Sequence, residues 1–251
     1  HQGPVLRVIL NRPETRNAMD ETTMDEMIHV ICESGKDKLL RAAVIIGAGH
    51  DFCAGGDINW MRRAAGYTKS KNKKDALRLA NMCRAIDEAP FAVIARIHGN
   101  CFGGGLGIVS AADIAIAETN AKFSFSEARL GLIPAVISTF AIPKIGPSQA
   151  RRLYITAEIF SSALAKEINL IHIVAPMENM ELQTQEVLGS ILKTGPRTTS
   201  SCKAYIKKFE GLSRNQRFSS CVDTLAKMRA TDEAKEGLAA FIEKRKPKWF
   251  A

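Results

Sequence analysis

The chain lacks any apolar run approaching the roughly 18 residues that a bilayer-spanning helix needs. One of its longest apolar stretches, Phe91 to Ile97, is already broken by Arg96. No membrane span is therefore expected. The six cysteines (Cys32, Cys53, Cys83, Cys101, Cys202, Cys221) form no C-x-x-C pair, so neither a zinc cluster nor a disulfide framework is signalled. They read as reduced thiols. His29, His50 and His172 are isolated, and His98 sits at a strand end as a core hydrogen-bonding residue, so no metal is expected. Aromatic residues make up only 6% and do not alternate with basic ones, which argues against a surface that stacks nucleic-acid bases. Low-complexity tracts and Ser/Gly linkers are also missing.

What remains is globular. With 251 residues, 46% of them hydrophobic and 24% charged, the chain has ample material for one large domain and a sizeable core. Lys and Arg exceed Asp and Glu by 35 to 26, a net charge of +9, and the excess is clustered. Arg62 and Arg63, then Lys69, Lys71, Lys73 and Lys74, and finally Lys244, Arg245, Lys246 and Lys248 suit a phosphate-bearing ligand or RNA. The expected location is the cytoplasm, or the mitochondrial matrix should a targeting peptide precede His1.

The first half alternates β-branched runs with helical spacing. Val5 to Leu10, Ala43 to Ile46, Ala92 to Ile97 and Asp113 to Ala117 predict strands, and Asp20 to Ser34 and Asp75 to Glu88 predict helices, the former capped by Asp20. This is the pattern of an α/β domain. Beyond about residue 140 the spacing predicts helices at Ser148 to Thr156, Ser162 to Glu167, Met180 to Leu192, Thr198 to Phe209 and Arg217 to Phe241, with the last third all-helical.

Two glycine loops each sit between a strand and a helix: Phe52-Cys53-Ala54-Gly55-Gly56-Asp57, and Cys101-Phe102-Gly103-Gly104-Gly105-Leu106-Gly107. Such turns expose backbone N–H groups at the positive end of a helix. Neither loop has the Lys-Ser/Thr of a Walker motif or the full G-x-G-x-x-G spacing, so nucleotide-phosphate binding is a weak reading. The better one is an oxyanion hole with Ala54 and Gly104 as donors. About twenty residues further on, Glu127 is a lone carboxylate in the segment Phe123 to Pro134, where burial would raise its pKa and suit it to proton transfer. The bland alternative is a surface Glu, paired with Arg129. Ser138 and Cys101 show no base partner.

Taken together, LNRPETRNAMD (10–20), FCAGGDI (52–58), IHGNCFGGGLG (97–107), ADIAIA (112–117), FSEARLGLIP (125–134) and GLAAFIEKRKP (237–247) resemble the enoyl-CoA hydratase/isomerase (crotonase) superfamily, in order and over almost the whole chain. The resemblance implies a spiral of repeated ββα units over residues 1–190. A C-terminal helical region, 191–251, would serve trimer packing, as a homotrimer or dimer of trimers. It implies an acyl-CoA thioester as ligand and no separate cofactor, coenzyme A being part of the substrate. By position, Ala54 and Gly104 match the oxyanion-hole residues, and Arg16 and Ala18 match the segment lining the CoA nucleotide. Asp57 and Ile58 match the backbone that meets adenine, and Phe241 and Lys244 match residues reaching CoA from a neighbouring subunit. Trp60 and Met61 are candidates for the acyl pocket wall.

One departure bears on mechanism. Typical hydratases of the family carry two glutamates; the second is Glu127, whereas Gly107 stands in place of the first. The run Pro134-Ala135-Val136-Ile137-Ser138 also replaces a glycine-rich stretch. Both features look similar to a subgroup associated with 3-methylglutaconyl-CoA and related branched enoyl-CoA hydratases. The reading is hydration of a short or branched enoyl-CoA, 3-methylglutaconyl-CoA being one candidate. The alternative within the family is a double-bond isomerase with Glu127 as sole base, because one carboxylate suffices to move a proton. An alternative of another class is a non-catalytic RNA-binding or assembly protein. For a substrate with a terminal carboxylate, Arg129 or Arg63 is the candidate partner.

Overall fold

The computed structural model describes residues 3–250. Strand β1 (Val5–Leu10) leads to helix α1 (Glu21–Ser34), and the Asp20 carboxylate caps α1 by accepting from the Thr23 N–H at 2.9 Å. There follow β2 (Ala42–Gly47), α2 (Ile58–Ala64), α3 (Lys69–Asp87) and β3 (Ala92–Ile97). The middle of the chain holds β4 (Asn100–Phe102), α4 (Gly104–Ala111), β5 (Ile114–Glu118), β6 (Lys122–Ser124) and α5 (Ala135–Thr156). Then come β7 (Phe160–Ser161), α6 (Ser162–Glu167), β8 (Ile173–Ala175) and α7 (Met180–Leu192), and finally α8 (Thr198–Glu210), α9 (Arg214–Arg229) and α10 (Asp232–Ile242).

Strands β1-β2-β3-β5-β8 form one sheet, parallel throughout. A parallel sheet is covered on both faces, which is why β2 (AAVIIG) and β3 (AVIARI) read as nearly continuous apolar runs. One face packs Ala43, Ile45, Val93 and Ala95 with α1, α3 and α4, and the other packs Val44, Ile94 and Ile116 with Met180 and Leu188 of α7. A second sheet, β4-β6-β7, is extended by a single parallel bridge between Cys53 and Cys101. Each departure from the main sheet thus adds a short strand to the second sheet before a helical turn. After β2 comes Cys53 and then α2; after β3 come β4 and α4; after β5 come β6 and a one-turn helix at Ser126–Leu130. This is the ββα spiral.

Two expectations need correction. The last third is not all-helical, because β8 completes the main sheet there, and β7 just before it completes the second sheet; at three and two residues they are too short to show an alternating pattern. The helix expected over 217–241 is two, broken where Thr231 caps α10 by accepting from the Ala234 N–H. The helix expected over Ser148 to Thr156 is present as the second arm of α5, which non-helical backbone at Gly146 (φ +72°), just before Pro147, separates from a first arm over 135–145 that the spacing did not reveal. The last helices are held largely from their surfaces: α8 buries no residue, α9 only Ser220 and α10 only Ala240. Lys203 of α8 donates to Asp113 at 2.8 Å, anchoring that helix to the end of α4.

Candidate active site

The first glycine loop is tied to the segment after β1. Arg16 and Asn17 both adopt left-handed backbone, which aims the buried Asn17 amide inward. Its Nδ2 donates to the carbonyls of Ala48 (2.8 Å) and Asp51 (2.7 Å), and its Oδ1 accepts from the Arg12 N–H (2.9 Å). Arg12 in turn donates to the Ala18 carbonyl at 2.7 Å and pairs with Asp57 at 2.9 Å. The Asp57 carboxylate caps α2 by accepting from the Asn59 and Trp60 N–H groups; the Trp60 hydrogen bond and the Arg12 guanidinium hold it below its usual range. Asp57 is therefore spent on structure. Arg12, Asn17 and Met19 were present in the sequence stretch but carried no signal of this role.

The donor assignment changes in the first loop. Ala54 donates its N–H to the Arg16 carbonyl at 2.9 Å and has none to offer a ligand. Two residues on, Met19 and Gly56 form a parallel bridge in which the Met19 N–H donates to the Gly55 carbonyl and the Asp57 N–H to the Met19 carbonyl. This pairing turns the Gly56 N–H to the opposite side, where it has no acceptor among the described residues. A Cβ on Gly56 would lie 2.8 Å from the Trp60 ring and 3.6 Å from Met61, so both side chains pack directly on this residue.

The second loop supplies Gly104, the first residue of α4, whose N–H is one of the orphan donors of a helix start. Gly103 before it has φ +46° and donates to the Ser124 carbonyl. The loops touch: a Cβ on Gly103 would lie 3.7 Å from the Gly55 Cα, and one on Gly104 would strike Met19 Cε. The Gly56 and Gly104 amides thus flank Met19.

Glu127 faces the same turn. Its Oε1 lies 3.7 Å from a Cβ built on Gly103, and its Oε2 is buried without a hydrogen-bond partner. Burial pushes this carboxyl above the usual range. The pairing with Arg129 does not form; Arg129 is exposed and makes no ion pair among the described residues. Arg63 is committed to Glu21 at 2.7 Å. Buried Pro134 opens α5 beside Glu127, with Ala135 exposed and Ser138 donating to the Pro134 carbonyl.

Gly107, buried on α4, has no room for more: a Cβ there would sit 3.0 Å from Cys83 Sγ and 3.6 Å from Ile137. Among the other expected contacts, Arg16 is 70% exposed by side chain, Ala18 is buried, and Ile58 is exposed. Phe241 and Lys244 are exposed at the end of α10, which packs chiefly on α9.

Two backbone donors without acceptors among the described residues, together with one desolvated carboxylate, are the groups that chemistry at a polarised carbonyl requires. The chain belongs to the enoyl-CoA hydratase/isomerase family, whose model matches residues 1–251. It is similar to the crotonyl-CoA hydratase of Syntrophomonas wolfei, 28% identical over 94% of this chain and 91% of that one. Among solved structures it is similar to AtuE of Pseudomonas aeruginosa (32% identity, TM-score 0.96, covering 100% of this chain and 98% of that one). It is also similar to an enoyl-CoA hydratase of Shewanella pealeana (34%, TM-score 0.95, covering 99% and 93%).

Proposed function

We propose that this chain adds water across the 2,3 double bond of a short or branched enoyl-CoA. The observation that carries the reading is the unpartnered, buried Oε2 of Glu127 beside the glycine turn. In this reaction Glu127 takes a proton from water as the water oxygen bonds to C3. The π electrons move onto the thioester oxygen, and the Gly56 and Gly104 N–H groups stabilise the resulting enolate. Glu127 then returns the proton to C2, giving a 3-hydroxyacyl-CoA. Hydratases named among the relatives, such as that of Syntrophomonas wolfei, support this direction.

A second reading follows from Gly107. With no second carboxylate to hold water, Glu127 alone can carry a proton between C2 and C4 and act as an isomerase. The two are separated by incubating the enzyme with 2-enoyl-CoA and 3-enoyl-CoA thioesters, 3-methylglutaconyl-CoA included, in water carrying oxygen-18. Hydration gives a product heavier by one labelled water; isomerisation gives a shifted double bond without label, and that result would remove the hydratase reading.

The reading includes an assembly of copies of this chain, as a trimer or a dimer of trimers. Support comes from Phe218, Val222 and Leu225 on α9 and from Leu238, Phe241 and Ile242 on α10, all more than half exposed. Sedimentation as a monomer would remove that part.

A further inference from the structure

The first glycine loop is covered by a helix with little hold of its own. Helix α2 buries no residue, yet its Trp60 ring lies directly on Gly56, where an added Cβ would meet Cζ3 at 2.8 Å and Cε3 at 3.2 Å. The ring covers the Cα of the residue whose N–H is this loop's candidate donor, and it keeps water from that side of the peptide. How firmly it does so depends on what fixes the indole. An indole has one polar group, its N–H, and a part-buried ring is oriented by the acceptor which that group finds.

For Trp60 the acceptor comes from the second turn of α3: Nε1 donates to Asp75 Oδ1 at 3.2 Å. Among the described residues this is the one hydrogen bond between α2 and α3. The Asp75 side chain is only 12% exposed and is itself held. Arg78, one turn further on, lies 3.5 Å from the same oxygen, and its Nε donates to Asp25 of α1 at 2.8 Å. Indole, carboxylate, guanidinium and carboxylate thus run in series from the glycine loop across α3 to α1. Glu127 carries the proton transfer, so the reaction as described gives Asp75 nothing to do. Its link to the loop is Trp60.

We infer that Asp75 is a positioning residue for the reaction: by holding the Trp60 indole on Gly56, it keeps the Gly56 N–H aimed at the thioester oxygen and shielded from water. This rests on the reading of Gly56 as an oxyanion donor. A preorganised donor acts on charge that develops in the transition state, and it loses its advantage when water or a displaced dipole must first reorganise. Without its acceptor the indole is free to change rotamer. Gly56 is then uncovered, and the enolate loses part of its stabilisation.

The test reads the carbonyl itself. Isotope-edited infrared spectra of bound butanoyl-CoA, with carbon-13 at the thioester carbonyl, report how strongly that bond is polarised and require no turnover. The natural protein should lower the stretching frequency, Asp75→Ala should return it part of the way to the free value, and Asp75→Asn, which keeps an acceptor oxygen, should leave it lowered. On the enoyl-CoA that the labelling experiment identifies, kcat and kcat/KM of Asp75→Ala should fall together by about ten- to a hundredfold. Asp75→Asn should stay within about fivefold of the natural rate. Replacing Trp60 by benzothienylalanine, which keeps the fused rings and puts sulfur in place of the N–H, should act as Asp75→Ala does, and it carries the test should that variant fail to fold. A merely structural role would lower the unfolding temperature of Asp75→Ala and leave frequency and rate unmoved, which would overturn the assignment. A natural protein that lowers the frequency but hydrates no enoyl-CoA would overturn the hydratase reading and leave Asp75 its role. One that binds butanoyl-CoA without lowering the frequency would overturn the oxyanion reading and that role together.

Discussion

Cys83 and Gly107 share one space. The Cys83 thiol lies 3.0 Å from where a side chain at 107 would begin, and it is buried among Met82, Ile86 and Ile137. The missing carboxylate therefore leaves no hole behind it; α3 has closed over the position. Burial holds the Cys83 thiol up at about 12, so it remains a neutral filler rather than a reactive group.

Restoring an acid at this place alone is expected to fail. Gly107→Glu forces a carboxylate against Cys83 and Ile137, and overpacking together with an unpaired buried charge should cost about 3 kcal/mol or more. Chemical denaturation reads this directly. Gly107→Ala, which requires only a few tenths of an ångström from Cys83, should cost about 1 kcal/mol.

Glu127→Gln keeps the shape of the side chain and removes its proton chemistry. Turnover should fall by about 10²–10⁴-fold with the fold intact, measured as kcat on the enoyl-CoA that the labelling experiment identifies. A variant with more than a tenth of the normal rate would contradict the role of Glu127.

The pH profile should carry the same signature. Hydration starts from ionised Glu127, so kcat/KM falls as the pH drops through its pKa. Because burial raises that pKa, the acid limb should lie above the roughly 4.3 of an ordinary glutamate. A limb at or below that value would show that Glu127 is not desolvated in the working enzyme.

The two candidate amides of the first loop can be separated by replacing single peptide bonds with esters in a semisynthetic chain. Loss of the Gly56 N–H should cost about 10²–10³ in kcat, the usual effect of one oxyanion donor. Loss of the Ala54 N–H, already bound to the Arg16 carbonyl, should cost about 1 kcal/mol of stability and leave most of the rate. The reverse outcome would restore Ala54 as the donor.

Asp57 should appear in stability. Its pKa is lowered in the folded state, so its contribution is complete above the unfolded value of about 3.9 and disappears as pH falls through the lower, folded one. Asp57→Ala removes both the α2 cap and the partner of Arg12, and should lower stability near neutral pH by about 2 kcal/mol or more. The difference from the natural protein should shrink in acid.

How much of this was legible depends on whether a feature is local. The long strands of the parallel sheet, the Asp20 cap and the lone Glu127 could be read because each leaves its mark within a few residues. Strands β7 and β8 could not, since they exist only by pairing with β6 and β5. The exchange of Ala54 for Gly56 is of the same kind. Both belong to one glycine loop, and only the pairing with Arg16 and Met19, some forty residues earlier, decides which N–H is left over.

The strand order β1-β2-β3-β5-β8 has a bearing on biosynthesis. Every strand of the main sheet docks beside the one that left the ribosome before it, and none has to be inserted between two already paired. Synthesis order and assembly order therefore coincide, with a single growing edge that moves from β2 to β8. Parallel pairing across long connections is slow, but in this arrangement each step has its template in place before its own residues emerge. A chain arrested after β5 would display that strand as an open edge until Ile173–Ala175 arrives to cover it.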